Sequence, residues 1–158
     1  MARFESIHTL DGQIHSTVNV SDTVGVAGRN LRGDVLLIQV LFKYIAEGLD
    51  KRAIGLGPEY NVPEATGHMD ADTYSAICEF QIAHRNHLLI NTFDGVIHPA
   101  RYKGRKLILF GRPLMTITRL HIIAVDASLI RGDGPFPLTL ARMNSELASY
   151  LDSSLFQA

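Results

Sequence analysis

The apolar positions near the start of the chain alternate with polar ones over residues 3–20. The alternation runs on either side of Asp11-Gly12, a dipeptide that readily supplies the positive φ angles of a two-residue type I′ turn. This pattern predicts a β-hairpin in which Leu10 pairs with Gln13, Thr9 with Ile14 and His8 with His15. One face, expected to pack on a core, carries Ile7, Ile14, Val18 and Val20, and the other carries Ser6, His8, His15 and Thr17.

The period changes to that of a helix after a glycine-containing connection at residues 24–30. Apolar residues at Val35, Ile38, Leu41, Phe42 and Ile45 predict one helical face that ends near Gly48, and further apolar residues indicate burial on more than one side. Residues 49–69 then carry three glycines and two prolines. That composition predicts an irregular connection, which is either an insertion or a functional loop.

A second helix is expected to begin at a cap supplied by Asp70 or Asp72 and to continue to about Arg85. Its apolar stripe is interpreted as core and consists of Tyr74, Ile77, Cys78 and Phe80. An apolar bridge at residues 87–93 leads to a turn at Asp94-Gly95 and a short helical start at Pro99-Ala100.

Two further helices are predicted in the last third of the chain. Pro113 is placed to open the first, which carries Ile117, Leu120, Ala124 and Val125 on one side and ends at Gly132. The second runs from Pro137 to Asp152. Its apolar stripe consists of Leu140, Met143, Leu147, Tyr150 and Leu151.

The composition and net charge of the chain exclude some classes of function. A chain of 158 residues can bury a core without metals or disulfides, and its single cysteine, Cys78, is interpreted as an inert core thiol. Hydrophobic residues make up 46% and the net charge is −1, which argues against disorder and against nucleic-acid binding.

Three segments, taken in order, resemble the peptidoglycan-binding-domain family, a small three-helix module found beside bacterial and phage cell-wall enzymes. GDVLLIQVLFKYI at residues 33–45 resembles its opening helix, with Val35, Ile38-Gln39 and Leu41 in the family's positions. TGHMDADTYSAICEFQ at residues 66–81 resembles its central segment, and DGVIHPARY at residues 94–102 its closing turn. For Gln39 and Gln81, a structural role at the loops and a ligand-binding role are equally open.

The resemblance implies a mainly α fold and a non-catalytic protein that binds bacterial cell-wall glycan or stem peptide. We expect an N-terminal hairpin at residues 1–23, a peptidoglycan-binding-like three-helix core at residues 24–103, and a C-terminal extension of two helices at residues 104–158, packed on the core. The groove would lie beside the second helix and the closing turn, where Tyr102 would stack on a sugar and the arginines would pair with carboxylates. Its expected ligand-binding residues are Arg85, Asp94, His98, Arg101 and Tyr102.

The sequence departs from the family in two places, and the resemblance covers about half of the chain. The connection between the first two helices is longer than in the family, and His98 stands where a small residue is usual. The hairpin and the last two helices lie outside the resemblance, and they could cover the groove.

Neither metal nor catalytic motifs are found in the sequence. His84 with His87, and His8 with His15, each lack a third ligand in a recognisable spacing, so no metal or cofactor is expected. Scattered glutamates belong to no motif, although carboxylates that converge only in space remain open. Basic residues at 101, 103, 105 and 106 suit either a solvated loop or contact with anionic wall polymers or an acidic partner.

The N-terminal residues lack the apolar region of a signal peptide, and residues 114–130 are too short and too polar to span a bilayer. A cytoplasmic product is therefore expected, which would reach the periplasm or cell wall by phage lysis or a specialised secretion apparatus. The alternative function is that of a protein–protein adaptor or accessory component of a phage or secretion particle. Peptidoglycan or such a protein is the expected partner, without nucleic acid or membrane insertion.

Overall fold

A computed structural model describes residues 2–8, 14–88, 93–100, 114–134 and 136–151; for residues 6–8, 14–16, 137 and 138 it describes the backbone alone. The fold is mainly helical, as the sequence predicts. The strands are β1 (Arg3–His8), β2 (Ile14–Asn19), β3 (Val24–Gly25) and β4 (Val96–Ile97). The α-helices are α1 (Arg32–Leu49), α2 (Ala71–Ala83), α3 (Thr116–Arg131), α4 (Phe136–Met143) and α5 (Ser145–Tyr150).

The hairpin of β1 and β2 is present, but its predicted register is wrong by one residue. Ile7 lies opposite His15 and His8 opposite Ile14, so the expected His8–His15 pair does not form. Because a slip of one residue moves a side chain to the other face, His8 and His15 belong to opposite faces, and so do Ile7 and Ile14. The predicted turn at Asp11-Gly12 lies outside the described residues.

Tertiary contacts explain why the alternation of apolar residues did not set this register. Residues 17–20 of the hairpin are buried on both faces, polar Thr17 and Asn19 as completely as Val18 and Val20. The Asn19 side-chain amide donates to the Ala100 carbonyl at 2.7 Å and accepts from the Ala100 N–H at 3.0 Å. The position of β2 therefore depends on partners about 80 residues away in the chain.

Helix α1 is the centre of the fold. As predicted, it is buried on more than one side, because all residues from Gly33 to Phe42 lie in the interior. Helices α3, α4 and α5 all contact it, and α3 also contacts β2. One hydrophobic cluster joins side chains of the hairpin, the central segment and the C-terminal helices, so the three parts share a core.

The connection before α1 contains a short strand that the sequence pattern did not predict. In β3 and β4, Val24 pairs with Ile97 and Gly25 with Val96 in an antiparallel ladder. A Cβ added to Gly25 would lie 2.3 Å from the Gly95 carbonyl oxygen, so only glycine allows this approach. The pair ties the closing turn to the beginning of the central segment.

Helix α2 begins where the sequence predicts. Asp70 is its cap and accepts a hydrogen bond from the Thr73 N–H at 2.7 Å. Phe80 meets Phe42 of α1 edge to face, with ring centroids 6.0 Å apart. Among the described residues of 24–103, α1 and α2 are the α-helices, and the rest is irregular apart from β3, β4 and single 3-10 turns at Lys51–Ile54 and Arg85–His87.

The C-terminal helices differ from the prediction at two boundaries. Helix α3 begins at Thr116 rather than at Pro113, because Leu114 forms a parallel bridge with Leu88 and its N–H donates to the His87 carbonyl at 2.9 Å. The single helix predicted from Pro137 is two helices. Asn144 is extended and accepts a hydrogen bond from the Leu147 N–H, so it ends α4 and caps α5.

Helices of the described chain are all too short or too polar to cross a membrane.

Candidate functional site

Two glutamine side chains hold the turns beside α2. The Gln39 amide accepts from the Gly67 N–H at 2.7 Å and donates to the His68 carbonyl at 2.9 Å. Gln81 repeats this arrangement, accepting from the Gly95 N–H and donating to the Val96 carbonyl, both at 3.0 Å. We call the two arrangements the glutamine clamps. Of the two roles that the sequence left open, both amides have the structural one.

The clamp at Gln81 places the closing turn on the outer side of α2. Gly95 has a φ of +70°, and a Cβ there would lie 2.6 Å from Cε2 of Tyr74 and 3.1 Å from Sγ of Cys78. Tyr74, Cys78 and Ile82 follow each other at intervals of four residues, so they share one side of the helix. We call Tyr74, Cys78 and Ile82, with Phe93 and Asp94 of the turn, the α2 face.

The assignment of the whole α2 stripe to the core is wrong for Tyr74, and Cys78, expected to be a core thiol, is not among the buried residues of α2. The interior side of α2 consists of Thr73, Ala76, Ile77, Phe80 and Gln81. Tyr74 is 38% exposed, Cys78 is partly buried, and Ile82 and Phe93 are exposed. Helical spacing alone did not single out this face, because apolar residues cover more than one side of α2.

Asp94 and His98 form the polar end of this face. One Asp94 oxygen accepts from the Val96 N–H at 2.9 Å, and the other lies 3.0 Å from His98 Nε2. Burial by itself would raise the pKa of Asp94, but hydrogen bonds from His98 and the Val96 N–H outweigh it and lower the pKa. Asp94 is therefore a carboxylate at neutral pH, and both side chains are accessible to a ligand.

The phenol of Tyr74 stays neutral on this face. Its pKa is raised, first by its hydrogen bond with Cys78 and also by the charge of that thiol group and by burial. A neutral tyrosine presents an apolar ring together with a hydroxyl group that can donate or accept a hydrogen bond.

The five expected binding residues do not all meet at this place. The structure brings Asp94 and His98 together as expected. Arg85 lies exposed in the 3-10 turn that follows α2, and among the described residues it forms no ion pair with Asp94 or any other carboxylate. Arg101 and Tyr102 lie outside the described residues, as does the rest of the basic cluster at 103–106.

A second depression lies between α1 and the long connection that follows it. Its volume is about 490 Å³, and Lys51 holds the connection by donating to the carbonyls of Pro58 and Tyr60 at 3.0 and 3.1 Å. Lys43 and Glu64 pair across it at 3.5 Å. Its charged groups are thus already engaged in ion pairs or hydrogen bonds. Its lining residues are Lys43, Ala46, Glu47, Asp50, Lys51, Val62, Pro63 and Glu64.

Within the described ranges, no three His, Cys, Asp or Glu side chains gather closely enough to hold a metal ion. His84 uses Nε2 to donate to the Ala53 carbonyl at 2.9 Å, and its ring lies 4.3 Å from the Phe80 ring. This imidazole therefore has a structural role at the end of α2.

Comparison with known proteins found no matching family model, no matching curated protein and no matching solved structure.

Proposed function

We propose that this protein is a non-catalytic binding protein for bacterial peptidoglycan and that it holds the glycan or stem peptide on the α2 face. The observation that carries the proposal is the position of Tyr74, an exposed ring beside the Gly95 turn with Asp94 and His98 at the same turn. The resemblance of residues 33–45, 66–81 and 94–102 to the peptidoglycan-binding-domain family supports the same ligand.

The chemistry of the face suits a hydrated polymer. The Tyr74 ring offers a flat apolar surface for the C–H side of a sugar, and the Asp94 carboxylate accepts hydrogen bonds from hydroxyl or amide groups. His98 would either turn from Asp94 toward the ligand or keep its hydrogen bond with Asp94 and hold that carboxylate in place. Because the face is open, we expect weak binding at each site, which repeated contacts along a polymer would strengthen.

Co-sedimentation with purified cell-wall sacculi tests this proposal. We expect the wild-type protein to pellet and the Tyr74→Ala variant to remain largely in the supernatant. Leu129→Ala is the matched control, because Leu129 is a 76% exposed apolar residue on α3, away from this face. The proposal fails if the wild type stays soluble or if both variants pellet equally.

The turbidity of the same sacculi distinguishes binding from hydrolysis. A binding protein leaves the turbidity unchanged over hours, whereas a wall hydrolase lowers it. A fall in turbidity that persists in Asp94→Asn, which keeps an acceptor for the Val96 N–H, would place catalysis elsewhere and contradict the non-catalytic assignment.

The second candidate is an adaptor or accessory protein of a phage or specialised secretion apparatus. Leu129 and Ile130 favour it, because these neighbouring residues of α3 are 76% and 69% exposed, outside the segment that resembles the wall-binding family. Chemical cross-linking in the producing cell tests it: a cross-linked product that disappears in Leu129→Asp/Ile130→Asp, together with absent sacculus binding, would favour the adaptor.

A further inference from the structure

Arg119 is the one side chain of the described chain with a buried polar atom that has no hydrogen-bond partner. Its Nε is inaccessible to solvent and unpaired, and no described carboxylate forms an ion pair with its guanidinium group. Arg119 as a whole is only partly buried, so part of its side chain is accessible to solvent. A buried charged donor without an acceptor is destabilising, and native proteins rarely leave one unsatisfied.

Other positively charged or chargeable residues lie at the end of α2, which the beginning of α3 contacts. The bond from the Leu114 N–H to the His87 carbonyl and the bond from Gln81 to the Thr116 hydroxyl, at 3.3 Å, hold the beginning of α3 against the end of α2. His84, Arg85 and His87 all lie at that end of α2. The junction of α2 and α3 therefore collects cationic groups.

Electrostatic effects agree with this geometry. Burial lowers the pKa of His84, and the charges of Arg119 and His87 lower it further. Burial also lowers the pKa of Arg119, and the charge of Asp126 acts in the opposite direction. Burial is thus the main cause of both directions, and for His84 the positive charges of Arg119 and His87 act the same way.

The sequence around the junction carries few counter-charges besides Asp126, whose charge acts on Arg119. Residues 80–125 contain seven Lys or Arg and one acid, Asp94, so seven less one gives this stretch a charge of +6 in a chain of net charge −1. Asp94 is already engaged with His98 and the Val96 N–H. Residues 89–92 and 101–113 contain no Asp or Glu.

We propose that Arg119, with Arg85 and His87 at the same junction of α2 and α3, binds an oxyanion: a phosphate or carboxylate group of an external ligand. Arginine suits this role because its planar fork binds two oxygens of such a group at once. The proposal does not depend on wall binding, since the oxyanion can belong to any ligand.

A site of this kind predicts opposite effects on binding and stability. In the free protein the Arg119 Nε is desolvated without an acceptor, so Arg119→Met should leave the melting temperature unchanged or raise it. The same variant should lose oxyanion binding. A structural arginine would behave differently, because its removal would leave partners unsatisfied and lower the melting temperature.

Calorimetric titration with inorganic phosphate, and separately with acetate, at constant ionic strength tests the site. We expect Arg119→Met to weaken binding of the preferred anion by at least about tenfold. The matched control is Arg52→Met, whose side chain is 84% exposed on the distant connection, and it should bind like the wild type. The anion that gives the larger heat identifies the class of ligand.

Three results would overturn the proposal: no heat with either anion, equal binding by the wild type and Arg119→Met, or a clear fall in the melting temperature of Arg119→Met in anion-free buffer. Sacculus binding by the same variant is measured in parallel. A variant that loses phosphate but still pellets with sacculi would show that the α2 face and the oxyanion site act separately.

Discussion

The glutamine clamps and the junction of α2 and α3 at Arg119, called the Arg119 junction below, differ in whether their buried polar groups have hydrogen-bond partners. Each clamp buries an amide whose oxygen and nitrogen both find backbone partners, whereas Arg119 buries a charged nitrogen that finds none. The Gln81 clamp is joined to the beginning of α3, the helix that carries Arg119, by the hydrogen bond from Gln81 to Thr116. The difference indicates that the clamps serve stability and that the junction serves an external ligand.

Breaking a clamp should have the largest effect. Gln39→Leu would remove the acceptor for the Gly67 N–H and the donor to the His68 carbonyl, leaving both backbone groups without these bonds. We expect the free energy of unfolding to fall by about 2–6 kcal/mol, because two buried groups lose their partner and each costs about 1–3 kcal/mol. Urea unfolding followed by circular dichroism measures it.

Asn86→Ala is the control for that change, because Asn86 is an exposed amide. Its effect should stay within about 0.5 kcal/mol. If Gln39→Leu were as mild as this control, the clamps would contribute little and the contrast with Arg119 would disappear.

A pair of glycine substitutions sharpens the comparison at the Gln81 clamp. Gly95 and Gly132 have nearly equal φ angles, +70° and +69°, but a Cβ on Gly95 would meet Tyr74, whereas one on Gly132 would meet nothing within 4 Å. Both alanine variants should lose about 1 kcal/mol from the positive φ. Gly95→Ala should lose about 1–3 kcal/mol more from the contact.

Thermal and urea unfolding of the two variants measure the difference. Equal destabilisation would show that Tyr74 moves away freely, and the α2 face would then have no defined position for its aromatic ring. Sacculus binding should fall in Gly95→Ala and remain unchanged in Gly132→Ala.

A smaller effect is expected from pH at the Arg119 junction. The pKa of His84 lies below its ordinary value of 6.5 in the folded state, chiefly because of burial, so below pH 6.5 the unfolded chain binds a proton that the folded chain resists. Stability should therefore decrease as the pH falls from about 6.5 toward the folded pKa. His84→Gln should reduce that dependence, and unfolding in urea at several pH values measures it.

His68→Gln is the control, since His68 is exposed, contacts Arg32 and lies before α2, whereas His84 lies after it. This variant should leave the pH dependence of the free energy of unfolding near that of the wild type. If His84→Gln kept the full pH dependence of stability, other groups would cause the loss of stability in acid. His84 would then no longer be evidence for a positive field at the junction.

Much of the helical fold could be predicted from local pattern. The apolar spacing from Val35 to Ile45 predicted α1, and Asp70 predicted the beginning of α2, because periodicity and capping depend on neighbouring residues. The possible structural role of Gln39 and Gln81 and the closeness of Asp94 to His98 were also accessible from sequence. The turns that these side chains contact or belong to are indicated in the sequence by glycine and aspartate.

The features that local pattern missed depend on distant partners. The hairpin register follows the burial of both faces of β2 and the Asn19–Ala100 contact, and β3 exists only because Val96 and Ile97 return to it. The helical spacing of apolar residues also did not predict the break at Asn144, because a capping residue in the middle of the pattern does not interrupt the apolar stripe.

The sequence by itself determined where the main helices form, which residues can turn tightly, and that residues 80–125 carry an excess of positive charge. Only the tertiary structure decided that Tyr74 faces solvent beside Gly95 and that the Arg119 Nε is buried without a partner. The reason is physical: helix formation and charge are properties of short stretches of chain. Exposure and hydrogen-bond satisfaction are instead set by which distant elements pack together.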